Sequence, residues 1–201
     1  MLESAIVSVW SAWGLGMSAF RPVAWIIGLL GVAWAAHSAD APKLPSGNMN
    51  GVHDFDFEVG SWSVHHRLKR ATGDWFEFEG TCTDRLLMLG AGNIEDHVFK
   101  KPEGTTTGAG LRAYDPKSGQ WAIWWIDGRD PHSALDPPVK GRFENGIGTF
   151  YADGTLNGKT VRTRFVWSKI TATSAHWEQA FSWDAGKTWE TNWYMDFTRI
   201  S

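Results

Sequence analysis

The 201-residue chain carries a formal net charge of −3 at pH 7 and a single cysteine. One cysteine excludes an internal disulfide, and without a basic run or a basic excess there is no electrostatic basis for binding nucleic acid or an anionic membrane surface. The length suits one domain, or one domain behind a removable leader, and 14 Trp and 11 Phe supply the buryable area that a disulfide-free core requires.

Along the chain, Val23 to Ala36 forms an uncharged, mostly apolar run after Arg21 and ends in Ala36-His37-Ser38-Ala39, with small residues where signal peptidase acts. Residues 1–38 therefore read as a secretory signal, and the mature protein is expected to be periplasmic or secreted. The run falls short of the ~18 apolar residues of a spanning helix, so no stable membrane span is expected after cleavage. Met17 opens a leader of ordinary shape, which makes residues 1–16 read as an over-called start. Residues 39–52, small, polar and bearing Pro and Gly, read as a flexible linker. The domain proper is expected over 53–201.

From Ser61 onward, short aromatic or β-branched runs alternate with turn residues about every ten to twelve positions, the pattern of an all-β sandwich or barrel. Strands are predicted over 61–70, 75–88, 93–100, 105–115, 120–127, 139–144, 148–152, 160–170, 175–183 and 188–200. Thr72-Gly73-Asp74, Asp115 to Gly119, Asn157-Gly158 and Asp184-Ala185-Gly186 carry the turn chemistry of tight antiparallel connections. Short connections make sequential neighbours pair, and closing the sheet removes its exposed edge, so the fold class is all-β, a single up-and-down antiparallel barrel of about ten strands. Period-two alternation places Trp62, Val64, His66 and Leu68 on the inner face. It likewise groups Trp121, Ile123, Trp125 and Asp127; Val161, Thr163, Phe165 and Trp167; Trp177, Gln179, Phe181 and Trp183; and Trp189, Thr191, Trp193, Met195, Phe197 and Arg199.

Phe55-Asp56-Phe57-Glu58-Val59-Gly60-Ser61-Trp62 resembles the opening of the calycins, the lipocalin superfamily, whose first strand begins with Gly-x-Trp. Arg199, late in the last strand, is placed like the basic residue that packs over that Trp. With WWIDGRDP, LDPPVKGRF and MDFTR, the FDFxxGxW opening is similar to a bacterial family of lipocalin-like domains of unknown function. The resemblance covers roughly Val52 to Ser201 and implies the fold. It implies little about function, because this fold carries transporters, haem proteins and enzymes alike.

Asp127-Gly128-Arg129-Asp130-Pro131-His132 is the densest polar cluster, where a strand runs into a loop. Asp127 and Arg129 are candidates for an acid/base group with an anion-fixing partner, against a plain Asp–Arg-stabilised turn. His66, on the inner face, is a candidate base or ligand contact, against a satisfied core histidine. Glu77 and Glu79 share a face and enter the cavity only if that face is inward. Cys82 reads as packing. No HxxxH or HxH spacing places two histidine ligands on one face, which leaves only a metal site built from adjacent strands, and no nucleophile motif, phosphate loop or dinucleotide fingerprint is present, so neither metal nor cofactor is expected. The expected function is an exported protein that binds a small apolar or aromatic molecule in an aromatic-lined barrel through His66, Glu79, Trp125, Asp127, Arg129, Gln179 and Trp193. Two alternatives stand beside it. One is an isomerase, cyclase or lyase with His66 or Asp127 as base and Arg129 as anion clamp. The other is a haem barrel resembling nitrobindin, against which the missing Gly-x-Gly after Trp62 counts.

Overall fold

The computed structural model describes residues 43–44 and 46–200. The expected signal segment lies outside them. Ten strands follow one another: β1 (Gly60–Lys69), β2 (Trp75–Leu87), β3 (Gly92–Lys101), β4 (Gly104–Asp115), β5 (Gln120–Asp127), β6 (Val139–Glu144), β7 (Ile147–Leu156), β8 (Lys159–Ser168), β9 (Ser174–Ser182) and β10 (Glu190–Arg199). Each pairs antiparallel with its sequence neighbours, and β10 returns to β1 to close the barrel. Short 3-10 turns at Asp56–Glu58 and Met88–Gly90 are the only helical elements among the described residues. No helix there is long and apolar enough to cross a membrane.

Local chemistry accounts for the meander. At the β7–β8 turn Asn157 and Gly158 both take positive φ, 51° and 76°, the twist that a two-residue hairpin needs. Asp115 caps the β4–β5 turn by accepting the backbone N–H groups of Lys117 and Ser118. Closure is fastened where expected. Trp62 and Arg199 are register partners, with the guanidinium 4.1 Å from the indole centroid. Arg199 also donates to the carbonyls of Val59 and Ala172, each at 2.7 Å, and to that of Phe57. Trp62 Nε1 donates to the Glu58 carbonyl at 2.6 Å. One side chain thus joins the last strand, the β8–β9 turn and the entry segment.

The two ends of the barrel differ. At the Trp62 end the entry segment folds inward as a plug. Phe55, 1 % exposed, meets Trp121, Phe143 and Trp167 edge to face at centroid distances of 5.1, 5.0 and 6.2 Å. Phe150 and Phe197 complete this cluster. The opposite end, framed by the hairpins after β1, β3, β7 and β9 and by the loop 128–138, receives no such plug from the described residues.

Four local expectations are revised. Part of the segment 39–52 expected as flexible linker is docked: Val52 is buried, Gly51 O accepts the Trp121 indole N–H at 2.8 Å and Asn48 O accepts the Tyr114 hydroxyl at 2.9 Å. Apolar Met49 and Val52 among the small residues give that stretch a core to join. Strand β7 runs on to Leu156 rather than ending at Ala152, because Gly154 pairs with Val161 and the turn falls at Asn157-Gly158. In β10 a bulge between Thr191 and Trp193 shifts the alternation. Trp189 therefore turns outward, to 5.9 Å from the Tyr151 ring, with the Arg164 guanidinium 4.5 Å from its own. Trp183, expected on an inner face, is also exposed.

Candidate functional site

Register sorts the interior into layers. Trp125, Thr163, Phe165, Gln179, Phe181 and Trp193 occupy inner-face positions of β5, β8, β9 and β10 toward the unplugged end. Inward side chains in a filled barrel are shielded, as Trp62, Trp121, Phe150 and Trp167 are at the plugged end. These six remain half-buried, so solvent reaches the inside of the barrel between them. Trp125, Phe165 and Trp193 share one continuous contact set with buried Phe99 and Trp177. Phe165 meets Trp177 at 4.9 Å, Trp177 meets Trp193 at 5.7 Å, Trp193 meets Phe99 at 5.9 Å and Phe99 meets Trp125 at 6.0 Å between ring centroids. We call this solvent-reached aromatic layer, with buried Phe99 and Trp177 beneath it as its floor, the cup. At its rim a cleft of about 290 Å³ opens between Thr105, Thr106 and Thr107 of β4 and the turn Gly128-Arg129.

His66 lies at the edge of that floor. It is fully buried, stacks on Phe78 at 4.5 Å with rings 5° from parallel, and its Nδ1 accepts the Trp193 indole N–H at 3.3 Å. Accepting through Nδ1 places the proton on Nε2, which faces the wall at Gly80: a Cβ there would lie 2.8 Å away. Burial, reinforced by His97, His65 and Lys101, lowers its pKa to about 3. The imidazole is therefore neutral at physiological pH and holds Trp193 in place.

The remaining candidates do not gather around it. Asp127 is on an inner-face register position at the mouth, but its carboxylate receives Arg129 in a fork, Nε to Oδ1 at 3.0 Å and Nη2 to Oδ2 at 2.6 Å. The Arg129 hydrogen bonds hold its pKa below the usual range, which makes it a weak base. Glu79 is on the outer face, where its carboxylate meets His65 Nδ1 at 2.7 Å, with Glu77 3.3 Å from the other ring nitrogen. The inner residues of β2 are instead Phe78, Gly80, Cys82 and Asp84. Gln179 donates to Asn192 Oδ1 at 3.1 Å. Trp125, Gln179 and Trp193 thus line the cup, Asp127 and Arg129 sit on its rim, His66 lies beneath, and Glu79 is outside.

Between cup and plug lies a polar layer that the sequence reading missed. Arg112, 2 % exposed, points inward from β4 and meets three carboxylates. Its Nη2 donates to Glu95 at 2.6 Å and to Glu58 at 3.1 Å, while Nη1 lies 2.8 Å from the second Glu58 oxygen. Nη1 also reaches Asn93 at 3.2 Å and Asp84 at 3.4 Å. The guanidinium rests on the Phe55 ring at 4.7 Å. Glu95 Oε2 is 3.3 Å from His97 Nε2 and 4.0 Å from Cys82 Sγ. One guanidinium cannot neutralise three buried carboxylates, so the layer holds protons. Burial drives the Glu58 carboxyl well above its usual range and Asp84 up to about 7, against the pull of Arg112. Burial also opposes the charge on Glu95, but Arg112 and His97 together hold that carboxyl low. Burial pushes the Cys82 thiol far up.

A signal for this layer exists in the sequence. Thr106, Gly108, Gly110 and Arg112 share one face of β4, and bare Cα positions beside a charge mark close approach. A Cβ on Gly110 would lie 2.2 Å from Glu95 Oε1, and one on Gly108 2.2 Å from the Trp125 ring.

No protein-family model matches the chain, and no curated protein matches it either. Solved structures do match in fold. The S-type phycobiliprotein lyase CPES from Guillardia theta superposes with a TM-score of 0.53 at 11% identity, over 75% of this chain and 93% of its own. Rv2717c from M. tuberculosis superposes with a TM-score of 0.51 at 10% identity, over 77% of this chain and 99% of its own. The closed, ten-stranded antiparallel barrel is thus a lipocalin-like fold of the kind these neighbours share.

Proposed function

We propose that the protein is an exported binding module that takes a small, largely apolar or aromatic molecule through the unplugged end into the aromatic cup. The observation that carries this reading is the asymmetry of the interior. Inward Trp125, Phe165 and Trp193 keep solvent contact, whereas inward Trp62, Trp121 and Trp167 keep none. Removing such half-exposed aromatic surface from water is favourable by roughly 25 cal/mol per Å², and Gln179, Thr163 and the Asp127–Arg129 pair offer polar contacts for orientation. The export half of the proposal rests on the apolar run and small-residue junction before residue 39.

Catalysis by the expected acid/base group gains no support. His66 is neutral and enclosed, Asp127 is committed to Arg129, and Glu79 faces outward. Haem fits poorly as well, since the inward imidazoles of His66 and His97 are both ring-packed below the floor. The test is titration of the purified protein with an environment-sensitive naphthalene sulfonate dye. Saturable uptake of the dye, with quenching of Trp emission and a raised Tm, is expected. Dye binding that is absent, or unaffected by Trp193→Ala in a folded variant, contradicts the proposal.

A further inference from the structure

The geometry points to a buried site for a borderline divalent metal ion of the zinc or cobalt class, held by Cys82, Glu95 and His97 beneath the cup. Nothing in the proposed binding role uses these three residues. Register creates the cluster: Cys82 and His97 are directly opposed on β2 and β3, and Glu95 lies two residues from His97 on the same inward face. All three are buried, and one donor atom from each lies within 4.8 Å of the other two. Glu95 Oε2 is 4.0 Å from Sγ and 3.3 Å from His97 Nε2. Two donors bound at about 2.3 Å to a common ion span up to about 4.6 Å, so rotamer adjustment suffices to bring them onto one centre.

Charge supplies an independent argument. The layer sets Glu58, Asp84 and Glu95 against the single cation Arg112, a surplus of acidic groups that protons offset in the metal-free layer and that a bound cation offsets in their place. A divalent ion bound there complements this acidic surrounding beside Glu95, whose Oε2 accepts from Arg112 at 2.6 Å and also faces the Cys82–His97 pair. Gly108 and Gly110 on β4 keep the opposing wall bare, the latter against Glu95 Oε1. The donor set of one sulfur, one imidazole nitrogen and one carboxylate oxygen suits Zn²⁺ or Co²⁺ rather than a hard cation such as Mg²⁺ or Ca²⁺. Coordination replaces the thiol proton of Cys82 with the metal and releases that proton to solvent; no redox partner is required.

Cys82 is the chain's only cysteine, which makes the optical test unambiguous. The reduced protein is refolded from denaturant with Co²⁺, so that burial does not limit entry. One bound ion per chain is expected, with a near-ultraviolet thiolate-to-cobalt charge-transfer band that Zn²⁺ abolishes by displacement. Cys82→Ser removes the band, and His97→Gln lowers Co²⁺ affinity by at least about tenfold. Should either variant fail to fold, the wild-type band and a Zn²⁺-dependent rise in its Tm still decide the matter. Folded wild-type protein without the band overturns the inference, as does a band unaltered in folded His97→Gln; metal held only by the exposed histidine pairs gives no thiolate band and counts against it equally.

Discussion

Replacing Arg112 by Met leaves a shorter, unbranched and uncharged buried side chain and removes the guanidinium from a layer of three carboxylates. In the native protein that guanidinium contacts Glu95 at 2.6 Å, Glu58 at 2.8 Å and Asp84 at 3.4 Å. Removing one partner of a buried ion pair leaves uncompensated charge and costs roughly 3–5 kcal/mol. Against a total stability of about 5–15 kcal/mol this is a large share, and the corresponding fall in Tm is on the order of 6–20 °C. The orphaned carboxylates can escape only by taking up protons, so the loss at pH 8 should exceed that at pH 5. Urea denaturation followed by Trp fluorescence at both pH values measures this. A loss below about 1 kcal/mol at pH 8, or an equal loss at the two pH values, refutes the reasoning.

The unmodified layer should respond to pH in a defined direction. Glu58 and Asp84 are raised in the folded state, so their contribution is complete below the ordinary carboxylate range and lost as pH rises through about 7 for Asp84. Glu95 acts oppositely, only in acid. Stability should fall between pH 4 and pH 7 by up to about 1.4 kcal/mol per pH unit for each proton released, and Asp84→Asn should flatten that slope in the same urea assay. Arg199→Ala deletes the stack on Trp62 and three hydrogen bonds to carbonyls. It should cost about 2–4 kcal/mol by chemical denaturation, and Arg199→Lys should restore only part. Gly108→Ala puts a Cβ 2.2 Å from the Trp125 ring. The expected outcome is a loss of about 1–3 kcal/mol together with weaker dye uptake, because Trp125 must move into the cup.

The barrel was readable from residues because alternation and turn chemistry agreed along most of its strands. Asn157-Gly158, the Trp62 and Arg199 pair, and the inner rows of β5 and β8 each carried one consistent message. The polar layer was not readable by that rule. In Asn93-Ile94-Glu95-Asp96-His97-Val98 the apolar set is Ile94 and Val98, yet Asn93, Glu95 and His97 face inward, Arg112 meeting Asn93 and Glu95 from β4 and Glu95 in turn meeting His97. Sorting faces by hydrophobicity one strand at a time misses an inward charge whose compensation sits on another strand. The mouth cluster lies where β5 runs out into the loop 128–138. Of the two readings offered for it, the structure has the paired turn, with Asp127 and Arg129 satisfying each other two residues apart. Glu79 depended on the parity of β2, which the inward Gly80 and Cys82 settle against it.

The central claim is that the unplugged half of the barrel takes up an apolar molecule while the plugged half is solid. Indole N–H resonances resolved by heteronuclear NMR report on both halves in one titration with the naphthalene sulfonate dye. Shifts at Trp125 and Trp193, with Trp62, Trp121 and Trp167 unmoved, are the predicted result. Changes confined to the exposed Trp75 and Trp183, or larger changes at Trp62 and Trp167 than at Trp193, would contradict it.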